Sequence, residues 1–161
     1  MIRVALRNAG SASAEDIAKL VSQLGGDIDP DYKFFVGQYD GASLKSNAYR
    51  IDDLEEMAGI RQFIPVNEIL ECRKIFENYE FGISRTSFPI AENAGGHFTL
   101  MDVRHTGCVF FWNRDFDKIS TVCDSFLGFL DSINPIELPD KMDRRSAKVW
   151  ISPDFKPKFP L

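Results

Sequence analysis

The stretch over residues 88–113, FPIAENAGGHFTLMDVRHTGCVFFWN, narrows most what this chain can fold into. A Gly95-Gly96 pair feeds two aromatic-rich runs that flank a short polar segment, the pattern of an antiparallel hairpin, because β-branched and aromatic side chains fit a pleated surface and glycine supplies turn conformations. With a two- or four-residue connection around 104–107, Val103 is expected to oppose Cys108, Met101 to oppose Phe110 and Thr99 to oppose Trp112. Phe98, Leu100 and Asp102 then meet Asn113, Phe111 and Val109 on the other face. A three-residue loop exchanges these partners, since the side-chain period of a strand is two. Both faces come out largely apolar. One must take helices, and the other is either covered by further chain or left as an aromatic patch.

Around this hairpin the periodicity alternates between helix and strand. Ser13 followed by Asp16 resembles a capping box, and Ile17, Leu20, Val21 and Leu24 repeat at helical spacing until Gly25-Gly26. Pro30 suits a first helical turn, with Tyr32, Phe35, Val36 and Tyr39 on one face before Asp40-Gly41. Residues 47–51 read as a strand, 52–56 as an acidic turn or helix start, and 61–65 as a strand ended by its proline. Val66, Ile69, Leu70, Ile75 and Phe76 fit a helix running to Glu77, and 87–91 returns to strand character. The stripe Ile119, Val122, Cys123, Phe126, Phe129, Leu130 and Ile133 predicts one helix over 119–133. Beyond Pro135 come the bases Lys141, Arg144, Arg145 and Lys148 and then WISPDFKPKFPL, whose prolines favour an extended strap. The expected architecture is α+β: a central antiparallel sheet flanked by helices in one domain over 1–134, with an extended C-terminal tail over 135–161.

A chain of 161 residues with 44% hydrophobic content can bury about 70% of its unfolded surface and needs no staples. Cys72, Cys108 and Cys123 are odd in number, widely spaced and set in apolar runs that read as buried, which argues against a disulfide framework or a metal clip and points to a reducing cytoplasm. The first residues lack a secretion-signal pattern, and no run approaches 18 apolar residues, so a soluble, unexported protein is expected. The net charge is -5, with ten acids against six bases over 1–60, ten against seven over 61–134, and four against six over 135–161. An acidic body does not suit direct nucleic-acid contact and does suit a basic protein partner.

Few residues offer chemistry. His97 and His105 are the only histidines, and His105 sits in the turn while His97 lies near the other end of its strand, eight positions away at about 3.3 Å each, so a catalytic or zinc site with Asp102 or Cys108 is not expected. Neither enzymatic turnover nor a cofactor or metal is called for. Asp27, Asp29 and Asp31 alternate like a calcium loop but lack its distal glutamate. Asp52, Asp53, Glu55 and Glu56 place four acids within five residues, which fits either a partner-binding patch for a cationic surface or a solvated first turn. Phe110, Phe111 and Trp112 split across the sheet, leaving one large aromatic available as an interface anchor, with Trp112 the candidate.

These features follow the order seen in the SUKH superfamily, which includes the yeast cell-wall synthesis regulator and many bacterial immunity proteins. IDPDYKFFVGQYDGAS over 28–43 resembles its proline-led second helix and glycine turn, although Asp29-Pro30 replaces the usual leucine-proline and Asp40-Gly41-Ala42 replaces Asn-Gly-Gly. FIPVNEI over 63–69 is similar to its strand-to-helix segment. FPIAENAGGHFTLMDV with GCVFFWNRDF resembles its central hairpin, with Asp102, Gly107 and Trp112 at the patterned positions. VCDSFLGFL over 122–130 looks like its closing helix, so the likeness covers about residues 14–133. The resemblance implies a helix-flanked antiparallel sheet that works by binding, and an immunity protein that occludes a cognate toxin, often a nuclease. A non-catalytic regulatory scaffold for a cellular partner is the alternative.

Overall fold

The computed structural model describes residues 6–78 and 86–135, with backbone only at 45, 46, 77 and 78. The proline-containing tail beyond Pro135, with its basic cluster, lies outside the described residues. In chain order the elements are β1 (Leu6–Arg7), α1 (Ala14–Leu24), α2 (Pro30–Tyr39), β2 (Ser43–Ile51), β3 (Glu56–Phe63), α3 (Ile69–Arg73), β4 (Ser87–Asn93), β5 (Phe98–Asp102), β6 (Val109–Asn113), β7 (Lys118–Cys123), α4 (Phe126–Ser132) and β8 (Asn134–Pro135). Short 3-10 turns occupy Asp52–Leu54, Lys74–Asn78 and Ala94–Gly96. The strands form one antiparallel sheet in the order β1 to β7, with β8 returning to pair with β2. This is the α+β architecture read from the sequence.

Local chemistry sets the helix ends. Ser13 Oγ accepts from Asp16 N at 3.0 Å and lies 2.6 Å from the Asp16 carboxylate, so two groups at the start of α1 satisfy one another. The helix stops at Gly25, whose φ of 70° a side chain would resist. At α2, Asp29 accepts from the backbone N–H groups of Asp31 and Tyr32, and Pro30 fills the first helical position, where its missing N–H costs nothing. Asp29 is therefore spent on capping and Asp27 on an ion pair with Lys33.

Helices α2 and α4 cover one face of the sheet through rings: Tyr32 meets Phe88 and Phe126, Phe35 meets Phe63 and Phe126, and Phe129 meets Tyr49 at centroid distances of 4.7–5.8 Å. Beneath them sits a closed polar triangle. Tyr49 Oη lies 2.8 Å from Thr99 Oγ1, Thr99 Oγ1 donates to Asn93 Oδ1 at 2.8 Å, and Asn93 Nδ2 donates to Tyr49 Oη and to Gly59 O. The other face carries Phe98, Leu100, Asp102, Phe110 and Trp112. Phe76 of the 3-10 turn covers its Phe98–Trp112 end, with ring centroids 6.1 and 5.0 Å away. The second face is thus partly covered by chain, as one of the two expected outcomes had it.

One aromatic is at odds with its surroundings. Tyr32 is fully buried, and its hydroxyl finds no hydrogen-bond partner among the described residues; burial, and then the neighbouring Asp40 charge, push its pKa far up. A buried hydroxyl without a partner costs roughly 1–3 kcal/mol, so Tyr32→Phe is expected to raise the unfolding free energy by about 1 kcal/mol. Tyr49→Phe, which opens the polar triangle, is expected to lower it by about 1–2 kcal/mol. Urea denaturation of the two variants should show midpoint shifts of opposite sign.

Several sequence expectations change. The hairpin register is one residue off: Phe98 pairs with Trp112, Thr99 with Phe111, Leu100 with Phe110 and Met101 with Val109. The connection holds an odd number of residues and closes on Gly107 at φ +88°, where an added Cβ would sit 3.0 Å from the Asp29 carboxylate. The expected helix over 119–133 is instead β7 followed by α4, divided at Ser125, which caps α4 by accepting from Gly128 N at 3.1 Å. The helix expected from Val66 to Glu77 shortens to α3 and a 3-10 turn, and the third strand begins at Glu56 rather than 61. The three cysteines are free, but each is only half-buried.

Candidate functional site

In an antiparallel meander successive turns alternate between the two ends of the sheet. The β2–β3, β4–β5 and β6–β7 turns therefore share one end, and the β5–β6 turn lies at the other with the start of α2 and α4. The sheet also curls, so that β7 comes against the Asp52–Leu54 turn and β2.

Of the acids singled out in the sequence, Asp52, Asp53, Glu55 and Glu56 are all exposed on the β2–β3 turn. Glu55 N donates to Asp52 O at 3.2 Å and Glu55 holds a φ of 52°, so the carboxylates are displayed on a defined backbone. Asp52 pairs with Arg50 at 3.1 Å; both are well solvated, so the pair is worth little. Trp112 is a correction. It is 0% exposed, stacked on Phe98 and edge-on to Phe76, and cannot touch a partner directly. Its indole N–H donates to Asp117 Oδ1 at 2.9 Å, which ties the core to the β6–β7 turn.

That turn holds a residue the sequence reading passed over. Asn113 Oδ1 accepts from Asp115 N at 3.1 Å and Phe116 N at 3.4 Å, and the loop projects Phe116 until it is 81% exposed, between Asp115 and Asp117. Arg114 N donates to His97 Nδ1 at 3.2 Å, which joins the β6–β7 turn to the residue that follows Gly95-Gly96. The signal available in the sequence was a large aromatic inside a run of turn-forming residues, NRDFD, where no core position exists to receive it.

The opposite end holds a concavity of about 350 Å³, floored by Leu100 and Phe110 and edged by Ser87, Asp102, Arg104 and His105. Asp102 is only 4% exposed, and both its oxygens are engaged: Thr86 Oγ1 and Ser87 Oγ donate at 2.8–3.1 Å, Arg104 N at 2.8 Å, and the Arg104 guanidinium at 3.3 Å. Burial works to raise its pKa, but the Arg104, Ser87 and Thr86 hydrogen bonds outweigh it and hold the carboxyl at about 2. A carboxylate so committed is a poor general base, and Ser87 spends its hydroxyl hydrogen on it. His97 lies at the far end of β5, about 16 Å along the strand, so the structure does not bring His97 and Asp102 together. The Cys72 and Cys108 thiols are pushed up by burial and then by neighbouring carboxylates, the reverse of an activated nucleophile. Among the described residues no three His, Cys, Asp or Glu side chains converge as metal ligands, and no helix is long and apolar enough to cross a membrane.

Comparison with known proteins agrees with this layout. A relative in Bacillus subtilis (strain 168), the SPbeta prophage-derived uncharacterized protein YokK, is 27% identical over 155 residues, covering 80% of this chain and 79% of its own length. The SMI1 / KNR4 family (SUKH-1) matches over residues 11–132, a span that runs from the cap of α1 to the end of α4 and takes in both ends of the sheet just described. The chain belongs to the SMI1 / KNR4 family (SUKH-1).

Proposed function

We propose that this chain is an immunity protein that binds a basic toxin, such as a nuclease, and blocks it by occlusion. The observation that carries the reading is the exposed row Asp52, Asp53, Glu55 and Glu56, displayed on a defined backbone, on a member of this family. Four carboxylates on one turn can replace the phosphates that a nuclease cleft is built to hold, and opposite potentials speed encounter. The chain works in the cytoplasm as a single binding domain, turns over no substrate and needs no cofactor.

The test is capture from the native cell with full-length chain as bait, followed by expression of the captured protein alone and together with the chain. A captured protein that arrests growth alone and is harmless in the presence of the chain is the expected result. Capture of a harmless regulatory or structural complex, or toxicity that the chain does not relieve, contradicts the reading.

A further inference from the structure

We infer that Phe116 is the anchor of a protein-docking surface built from the three turns at one end of the sheet, and that its occupant is a cationic protein surface with an apolar socket. The inference rests on the binding reading above and says where that binding takes place.

Four large apolar side chains are substantially exposed among the described residues: Phe34, Met57, Phe116 and Leu127. Phe116 is the most exposed, at 81%, and its backbone N–H is bonded within the turn. Asn113 Oδ1 accepts from the backbone under it, and the buried Trp112 indole donates to Asp117 behind it. An aromatic side chain with two torsions, carried on a held backbone, gives contact area at modest ordering cost, the property shared by residues that dominate interface energetics. Met57, also exposed, is the second residue of β3, at the same end of the sheet.

Charge identifies the occupant. The β2–β3 turn supplies Asp52, Asp53, Glu55 and Glu56, the β6–β7 turn supplies Asp115 and Asp117 against Arg114, and the Ala94–Gly96 turn between them is uncharged. These turns together carry as much negative charge as the whole chain, whose net charge is -5. Arg50 and Lys118 on the flanking strands offset only part of it. The curl of the sheet sets the acidic turn against β7, whose preceding loop bears Phe116, so the aromatic and the acids belong to one surface. An apolar centre with a charged rim is the anatomy of a protein interface, and a negative rim selects a positive partner.

The probe is p-benzoylphenylalanine placed at position 116 of the full-length chain in its native cell, with the same residue at position 34 as the control. Phe34 is exposed on α2, whose two ends pack at the opposite end of the sheet, against Gly107 and Val66. The expected result is a light-dependent adduct from 116 but not 34 with one basic protein, its yield falling when Asp52, Asp53, Glu55 and Glu56 become Asn or Gln. Phe116→Ala is then expected to weaken binding of that protein by about 30-fold or more, with the folded state unchanged by circular dichroism. No adduct from 116, the same adduct from 34, an acidic or neutral target, or indifference to the four acids overturns the inference. Failure of the toxin reading is distinguishable: there the 116 adduct forms with a basic protein that is harmless when expressed alone.

Discussion

Trp112→Ala is expected to lower the unfolding free energy by about 3–5 kcal/mol, the cost of emptying a large aromatic site in a packed core. The indole is fully buried, packs on Phe76 and Phe98, and links this part of the core to the β6–β7 turn through its hydrogen bond to Asp117. Trp112→Phe keeps most of the packing and loses the Asp117 hydrogen bond, so about 1–2 kcal/mol is expected for it. Urea denaturation of both variants checks the pair. If Trp112 were instead a partner-contacting anchor, the alanine variant would unfold at the wild-type midpoint and fail only in binding.

The second large effect belongs to Asp102. Asp102→Ala leaves the Ser87 hydroxyl, the Thr86 hydroxyl and the Arg104 N–H facing an empty pocket, and is expected to cost about 3–5 kcal/mol near neutral pH. Its pH dependence has a definite sign. The folded carboxyl titrates at about 2 and an unfolded aspartate near 3.9, so the folded state favours the charged form. That contribution, on the order of 2 kcal/mol, is fully present above about pH 4 and is lost as pH falls from about 4 through about 2. The stability difference between wild type and Asp102→Asn, followed by chemical denaturation, should therefore shrink across that window. A difference that stays constant from pH 5 down to pH 2 would show that the Arg104, Ser87 and Thr86 bonds do not select the carboxylate.

What the sequence disclosed and what it withheld divide along the range of the interactions involved. The ends of α1 and α2 were legible because Ser13 with Asp16, and Asp29 with Pro30, act within one turn of their own helix. The register of the β5–β6 hairpin was not, since it depends on Gly107 adopting a positive φ against Asp29, more than 70 positions away. The division of 119–133 into β7 and α4 was hidden for a different reason. Ile119, Val122, Cys123 and Phe126 fall at helical spacing by coincidence, while Ser125 acts as a cap and the β-branched residues of KISTVC favour a strand that pairs with β6. The acidic turn was legible as a feature of composition. Its place against β7, at the end of the sheet that carries Phe116, was not, because that arrangement comes from the meander and its curl. Trp112 reads as an anchor in the sequence because an aromatic strand gives no sign of which face the Lys74–Asn78 turn will cover.

Both large effects concern the frame, and the frame matters to function by what it holds still. Asp102 fixes the far end of the sheet, the Tyr49–Asn93–Thr99 triangle fixes its middle, and Trp112 fixes the turn that displays Phe116. On the proposed reading, a preformed surface spares the complex the ordering cost of assembling it, and the exposed acids would act mainly on the rate of encounter and Phe116 on the lifetime of the complex.

The most direct measurement is the association rate constant of the purified chain with its captured basic partner, taken from about 0.05 to about 0.5 M salt by stopped flow. Steering by the acidic end requires the rate to fall by about tenfold or more across that range, and the four-acid substitution to lower the low-salt rate while leaving dissociation nearly unchanged. A rate that is flat with salt, or identical in wild type and the four-acid variant, would contradict recognition through a negatively charged, preformed surface.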